Sequence, residues 1–431
     1  MDGRSLSRRT ILQGSLAALC VPAAADAISY PISQAESFVD SVGVNTHLSS
    51  EPYASLYDRF RALIGASGIR HLRDELRASN DLALWSDLFE TFGIRSQMLV
   101  SPSTNTVSEM SSYIQALGVS RLSAIEGQNE GDSDWFMANS AARGDWSKTT
   151  VDYQRAIYEA ARQRYSASLL PIVSPSIIDW KPDDVKLIGG AASYCDVVAI
   201  HPYVQRGQEP ESRDDYASLS WYIKNIRDRF KPGAPVMATE TGYSTIIRAT
   251  GAGVPEDVAA AYLPRLLINN FGAGVRRTFL YEFMDGGTDP SNSEHHWGLI
   301  HNDGTPKPAY QTIRLLLQVL KGANEPIAPE SPFDARIVQA PAATRCHGFL
   351  TRNGALILAV WREVRLWDPV AMTKIDVAAE PVTISYDRLT KISYLRLSPN
   401  STWSAGDQTS GSCVIPVGGN IVLIKFQRRT P

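Results

Sequence analysis

The chain has 431 residues, enough for two or three ordinary domains or for one large barrel with a smaller module beside it. Hydrophobic residues make up 44% and charged ones 20%, a globular balance that argues against a mostly disordered chain. The net charge of -3 leaves no basic excess to attract nucleic acid or anionic lipid.

The first 27 residues read as a targeting segment rather than as part of the fold. Ser7-Arg8-Arg9-Thr10-Ile11-Leu12 resembles a twin-arginine export signal. A short apolar stretch and Ala25-Asp26-Ala27, a small-residue cleavage pattern, follow it. The stretch is too short and too Ala-rich to be a membrane span. A mature chain from about Ile28, periplasmic or secreted by a bacterium, is therefore expected. Cys20 leaves with the signal, so Cys195, Cys346 and Cys413 remain. Either Cys346 pairs with Cys413 or all three stay buried free thiols.

Eight apolar runs then recur, each followed by a helical pattern. The strand candidates are 41–48, 68–74, 95–101, 121–127, 168–174, 195–201, 234–240 and 276–283. Between them 81–92, 150–165 and 255–271 carry apolar residues at three- and four-residue spacing, and 307–320 closes the series. This alternation predicts parallel strands in a closed (β/α)8 TIM barrel over residues 28–325. An open doubly wound sheet would carry a Gly-rich phosphate loop after an early strand, and none occurs. From about 326 the pattern changes to period two, with turn signals at Arg352-Asn353-Gly354 and Gly418-Gly419-Asn420. Residues 326–431 are expected to form a C-terminal antiparallel β-sandwich, making the chain an α/β barrel with a β module.

Catalytic groups on such a barrel gather at the C-terminal ends of its strands. The first strand ends in Asn45-Thr46-His47, the second in Arg73-Asp74-Glu75 and the fourth in Glu126-Gly127-Gln128-Asn129-Glu130. The sixth ends in His201-Pro202-Tyr203 and the seventh in Glu240-Thr241-Gly242-Tyr243, while the eighth carries Tyr281, Glu282 and Phe283. Glu130 and Glu240 stand almost across the mouth from each other, an arrangement suited to cleaving a glycosidic bond held between them. Aromatic rings pack on the apolar faces of sugars, and Trp135, Trp180, Tyr243, Tyr281 and Trp297 fall on the correct side. His295 and His296 could read hydroxyls, whereas Trp85, Tyr153 and Tyr158 sit in helical stripes and read as core. No Cys-x-x-Cys, His-rich metal spacing, haem, iron–sulfur or nucleotide pattern is present, so neither a metal nor another cofactor is expected.

These motifs resemble the clan A glycoside hydrolases, with families 5, 30, 39 and 79 the nearest in flavour. The resemblance covers residues 40–325, and Gly298-Leu299 with Asp303-Gly304-Thr305-Pro306-Lys307-Pro308-Ala309-Tyr310 is similar to the entry into the clan's last helix. It implies a retaining enzyme acting on a β-linked carbohydrate, with Glu130 as acid/base and Glu240 as nucleophile. It further implies that Asn129 binds the sugar 2-hydroxyl, Tyr203 hydrogen-bonds the nucleophile, and His201 is its neighbour in the cleft. Arg73 fits the arginine that keeps the nucleophile ionised. His47, Tyr243, Tyr281 and Trp297 complete the expected substrate-binding set. Two departures stand out: Ser101-Pro102-Ser103 ends the third strand without a His, and the eighth carries Tyr281 and Phe283 where Trp is common. A non-catalytic glycan-binding barrel and a transglycosylase with the same covalent intermediate are the alternatives. The sequence leaves the sugar, the endo or exo action and the oligomeric state open.

Overall fold

Behind a short strand, β1 (Ile32–Gln34), eight parallel strands follow in chain order. They are β2 (Val42–Asn45), β3 (His71–Glu75), β4 (Arg95–Leu99), β5 (Leu122–Glu126), β6 (Ile172–Val173), β7 (Val198–Ile200), β8 (Val236–Thr241) and β9 (Thr278–Leu280). Each falls inside or within one residue of a run anticipated from the sequence. Their spatial order is β6-β5-β4-β3-β2-β9-β8-β7. A parallel bridge between Val173 and Val197 joins the two ends, with Asp196 N–H donating to Ile172 O at 2.7 Å. The sheet therefore closes into the expected barrel. This computed structural model describes residues 28–76, 81–133, 145–178, 181–211, 218–247, 253–321, 335–387, 390–406 and 411–428. The expected export segment, Trp135 and Trp180 lie outside those residues.

The helices form where the apolar spacing placed them. Asp81–Phe92 keeps the anticipated bounds, and Trp146–Arg162, Glu256–Gly272 and Pro308–Lys321 differ by a few residues. Pro308–Lys321 buries Ala309, Tyr310, Ile313, Leu316, Leu317 and Leu320, one stripe at three- and four-residue intervals. Val107–Leu117 starts on a capping box, in which the Thr106 hydroxyl accepts from Glu109 N–H and the Glu109 carboxylate accepts from Thr106 N–H. No helix among the described residues is long and apolar enough to cross a membrane.

The C-terminal region is two packed sheets. One pairs β10 (Arg336–Gln339), β15 (Glu380–Ser385) and β18 (Ser412–Val417). The other holds β11 (Thr344–Leu350), β12 (Leu356–Arg362), β16 (Thr390–Arg396), β17 (Ser404–Ala405) and β19 (Val422–Arg428). A small hairpin, β13 (Trp367–Asp368) and β14 (Thr373–Lys374), stands apart. The larger sheet has one further member. β1 pairs in parallel with β11, Ile32 opposite Gly348 and Gln34 opposite Leu350. The sandwich thus takes its edge strand from ahead of the barrel, inside the span that the sequence assigned to the barrel.

β12 explains the unbroken apolar run around it. Leu356, Leu358 and Val360 pack inside the sandwich with Val382, Ile384 and Ile415. Ile357, Ala359 and Trp361 point the other way, into the core that contains the barrel helices. A strand buried on both faces needs apolar residues at every position. Cys195, Cys346 and Cys413 are free thiols, so the Cys346–Cys413 pairing is not formed. Cys346 and Cys413 instead help fill the sandwich core.

Candidate active site

Arg73 on β3 is the centre of the barrel mouth. It is 3% exposed, so its charge needs partners inside the protein. Nε and Nη2 donate to the two oxygens of Glu126 at 2.7 and 2.9 Å, a bidentate pair. Nη1 donates to Glu240 Oε1 at 2.7 Å and to Asn45 Oδ1 at 2.8 Å, and Nη2 also donates to Asn129 Oδ1 at 2.7 Å. Four strands therefore meet on one guanidinium. Glu126 has no exposed surface and takes a further hydrogen bond from Gln97 Nε2 at 2.7 Å.

Glu240 sits on β8, with its second oxygen accepting from the Tyr203 hydroxyl at 2.9 Å. Burial alone would raise its pKa. The nearby charges of His201 and Arg73, with hydrogen bonds from Tyr203 and Arg73, outweigh burial and hold it below the ordinary carboxylate value.

Glu130 follows β5 and stands nearer the solvent, with a side chain 23% exposed. Its φ of 42° places a non-glycine residue in the left-handed region, at a cost of order 1–3 kcal/mol. The Ser176 hydroxyl accepts from its N–H at 3.1 Å and donates to Asn129 Oδ1 at 3.1 Å, pinning this turn. With Asn129 Oδ1 taken by Arg73 and Ser176, Nδ2 is the atom left to donate. Glu130 Oε1 lies 2.7 Å from His201 Nδ1, while His201 Nε2 is 3.1 Å from the Thr239 hydroxyl. Burial disfavours a charged His201, but the negative charges of Glu240 and Glu130 and the bond to Glu130 prevail and raise its pKa.

One oxygen of Glu130, one of Glu240 and a ring nitrogen of His201 lie within 4.8 Å of one another. The same three groups are of the type that ligates a divalent cation. Here, however, Glu240 is already engaged by Arg73 and Tyr203, and Glu130 by His201.

The remaining expected residues divide. Trp297 packs edge-on against Tyr203, centroids 5.1 Å apart, and against Tyr281 at 6.3 Å. Tyr281 in turn meets His47 at 5.9 Å. These rings form a wall beside Glu240, and the buried Trp297 Nε1 has no hydrogen-bond partner. Tyr243 does not join them. Its hydroxyl donates to Gln208 O at 2.8 Å and its ring packs 5.4 Å from Tyr262, which makes it a buried loop anchor rather than a substrate contact. His295 Nδ1 and His296 Nε2 are both bound to the Asp289 backbone of their own loop.

Three contributors went unassigned in the sequence. Glu126 orients Arg73, and the available signal was a carboxylate ending a mostly apolar strand, where burial demands a cation. Ser176 arrives from the loop beyond β6, and its serine-rich surroundings give no hint of it. Glu282 was named at the strand end without a role. It is buried with Oε2 3.4 Å from the Tyr53 hydroxyl and 3.3 Å from His47 Nε2. Burial, then the charges of Asp285 and Glu294, push its pKa well above the ordinary range. The peptide between Tyr281 and Glu282 is cis.

No protein-family model matches the chain, and no curated protein matches it in sequence. Solved structures do. A family 39 glycoside hydrolase from the gut symbiont Bacteroides cellulosilyticus WH2 aligns over 91% of this chain and 82% of its own, with TM-score 0.63 and 15% identity. A glucosidase from Croceicoccus marinus aligns over 86% of this chain and 92% of its own, with TM-score 0.59 and 10% identity. A GH30 endoxylanase from Clostridium papyrosolvens C71 aligns over 90% and 96%, with TM-score 0.50 and 13% identity. At these identities the likeness is one of fold, and the chain shares the fold of these glycoside hydrolases, in keeping with its clan A resemblance.

Proposed function

We propose that the protein is a retaining glycoside hydrolase acting on a β-linked glycan, with Glu240 as nucleophile and Glu130 as acid/base. The observation that carries this reading is the approach of the Glu130 and Glu240 oxygens within 4.8 Å at the mouth of the barrel. Inverting enzymes hold their carboxyl groups about 6.5–9.5 Å apart to admit a water, whereas retaining ones hold them about 5–5.5 Å apart.

The residues divide the work by charge. Glu240, ionised by Arg73 and Tyr203, attacks the anomeric carbon as the bond to the leaving oxygen breaks. The leaving oxygen takes a proton from Glu130, which His201 holds in place at 2.7 Å. Asn129 Nδ2 is placed to donate to the 2-hydroxyl beside the nucleophile. Once Glu240 is an ester its charge is gone, and Glu130 takes a proton from the incoming water. Attack of that water on the anomeric carbon frees Glu240 and retains configuration. The Trp297–Tyr281 wall packs on the sugar's apolar face.

The test is a panel of aryl β-glycosides and bacterial exopolysaccharides offered to wild type, Glu130→Gln and Glu240→Gln. Wild type should turn over at least one glycoside with retained configuration by NMR. Each variant should lose about 10²–10⁴-fold in rate or more. Equal turnover by all three proteins would overturn the assignment. Export by the twin-arginine route is also proposed, on Arg8-Arg9 and the Ala25-Asp26-Ala27 site. An Arg8→Lys, Arg9→Lys double variant should stay in the cytoplasm on cell fractionation.

A further inference from the structure

The loop after β7 is gripped by the sandwich. It begins at Tyr203, which donates to Glu240, and runs through residues 204–211. Farther along, Glu211 is buried against Arg265, which lies on the Glu256–Gly272 helix and is itself fully buried. Arg265 Nε donates to Glu211 Oε1 at 2.8 Å, and its Nη2 donates to Glu211 Oε2. The other nitrogen, Nη1, reaches into the sandwich and donates to Val364 O at 3.1 Å and Gly419 O at 3.2 Å. Trp361 of β12 donates from Nε1 to Glu211 Oε1 at 2.7 Å.

The middle of the loop is held as well. Tyr243, three residues after Glu240, donates to Gln208 O, and Arg365 of the sandwich pairs with Glu209 at 3.0 Å. Arg206 and Gly207 both have positive φ, 55° and 62°, and form a tight turn. A Cβ on Gly207 would lie 3.0 Å from Val254 Cγ1 and 3.2 Å from Trp367 Cδ1, so this turn is pressed directly on β13. Tyr262, under the Arg265 guanidinium at 5.0 Å, accepts from Leu366 N–H and ties the same helix to the same part of the sandwich.

We propose that the β-sandwich is part of the catalytic apparatus, because Glu211, locked between Arg265 and Trp361, positions the Tyr203 loop and through it the nucleophile. The proposal rests on the reading of Glu240 as nucleophile. Glu211 and Trp361 are positioning residues that touch no substrate. A charged pair buried this deeply is held by the geometry of its hydrogen bonds, so the grip transmits position rather than mere adhesion. A displacement of Tyr203 by an ångström withdraws its hydrogen bond from Glu240.

Two variants of the full chain test this. Trp361→Phe removes the donor and keeps a smaller aromatic ring, and Glu211→Gln keeps the shape and removes the charge. Val382→Ala, in the sandwich core away from the grip, serves as a matched destabilising control. Amide exchange of peptides spanning 201–211 is the readout independent of activity. Both grip variants should exchange there about 10-fold faster or more, and the control should not. On the aryl glycoside that wild type hydrolyses best, both should lose about 5–30-fold in kcat with little change in KM. The acid limb of kcat/KM should move to higher pH, as Glu240 loses a donor to its charged form. Unchanged exchange at 201–211, or an equal loss from Val382→Ala, would overturn the proposal. If wild type hydrolyses no glycoside, the assignment of Glu240 fails, while exchange still decides whether the sandwich holds the loop.

Discussion

Two buried histidines, one at each end of the barrel, sit beside carboxylates and titrate in opposite directions. At the mouth His201 faces Glu130 at 2.7 Å and Glu240 at 3.7 Å. At the floor His71, the first residue of β3, lies 3.0 Å from Asp40. Burial disfavours the imidazolium at both places. At the mouth two carboxylates overcome it and the pKa rises. At the floor burial wins and the pKa falls to about 4, because the lone carboxylate Asp40 is shared with Arg277 and Arg95. Asp40 is also 45% exposed, so water screens it. The local count of charges, not the presence of a carboxylate, decides whether a buried histidine keeps its proton. An excess of acid at the mouth favours the imidazolium, and an excess of base at the floor disfavours it.

The largest break in this comparison comes from taking the cation out of the mouth. Arg73→Met leaves Glu126 buried and unpaired and frees Glu240 of its counter-charge. A loss of about 3–5 kcal/mol in stability is expected, read as a fall in denaturation midpoint, together with loss of turnover. The floor gives the next effect. A folded pKa lowered from 6.5 to about 4 means that the native state binds fewer protons than the unfolded chain. The resulting stability is full above pH 6.5 and is lost as pH falls toward 4, by roughly 3 kcal/mol. His71→Gln should flatten the denaturant midpoint over that window, and NMR titration of the His71 ring should show the lowered value directly. The finest effect separates a donor from a charge. Tyr203→Phe removes one hydrogen bond to ionised Glu240, so the acid limb of kcat/KM should move up in pH. The rate should fall about 10–100-fold, the worth of a charge-assisted bond of about 1.5–3 kcal/mol.

Much of this was legible in the sequence where one signal decided the outcome. Eight apolar runs gave the barrel because strands buried on both faces admit few polar residues, and catalytic groups crowd the strand ends that follow. Glu130, Glu240, Arg73, His201 and Tyr203 converge for that reason. Tyr243 shows the limit, since a tyrosine after the seventh strand satisfies its hydroxyl equally well on substrate or on Gln208 O. Glu126 was readable only through its partner, because the charge it balances lies 53 residues earlier. The free thiols Cys346 and Cys413 show that spacing alone does not tell a bridge from core packing.

The pairing of β1 with β11 brings together segments separated by more than 300 residues. Contacts of such long range form late, since the intervening chain must first be ordered. The opening strand has to wait for the whole barrel and for Gly348 before it can find its neighbour. A chain halted short of β11 therefore leaves β1 without its neighbouring strand.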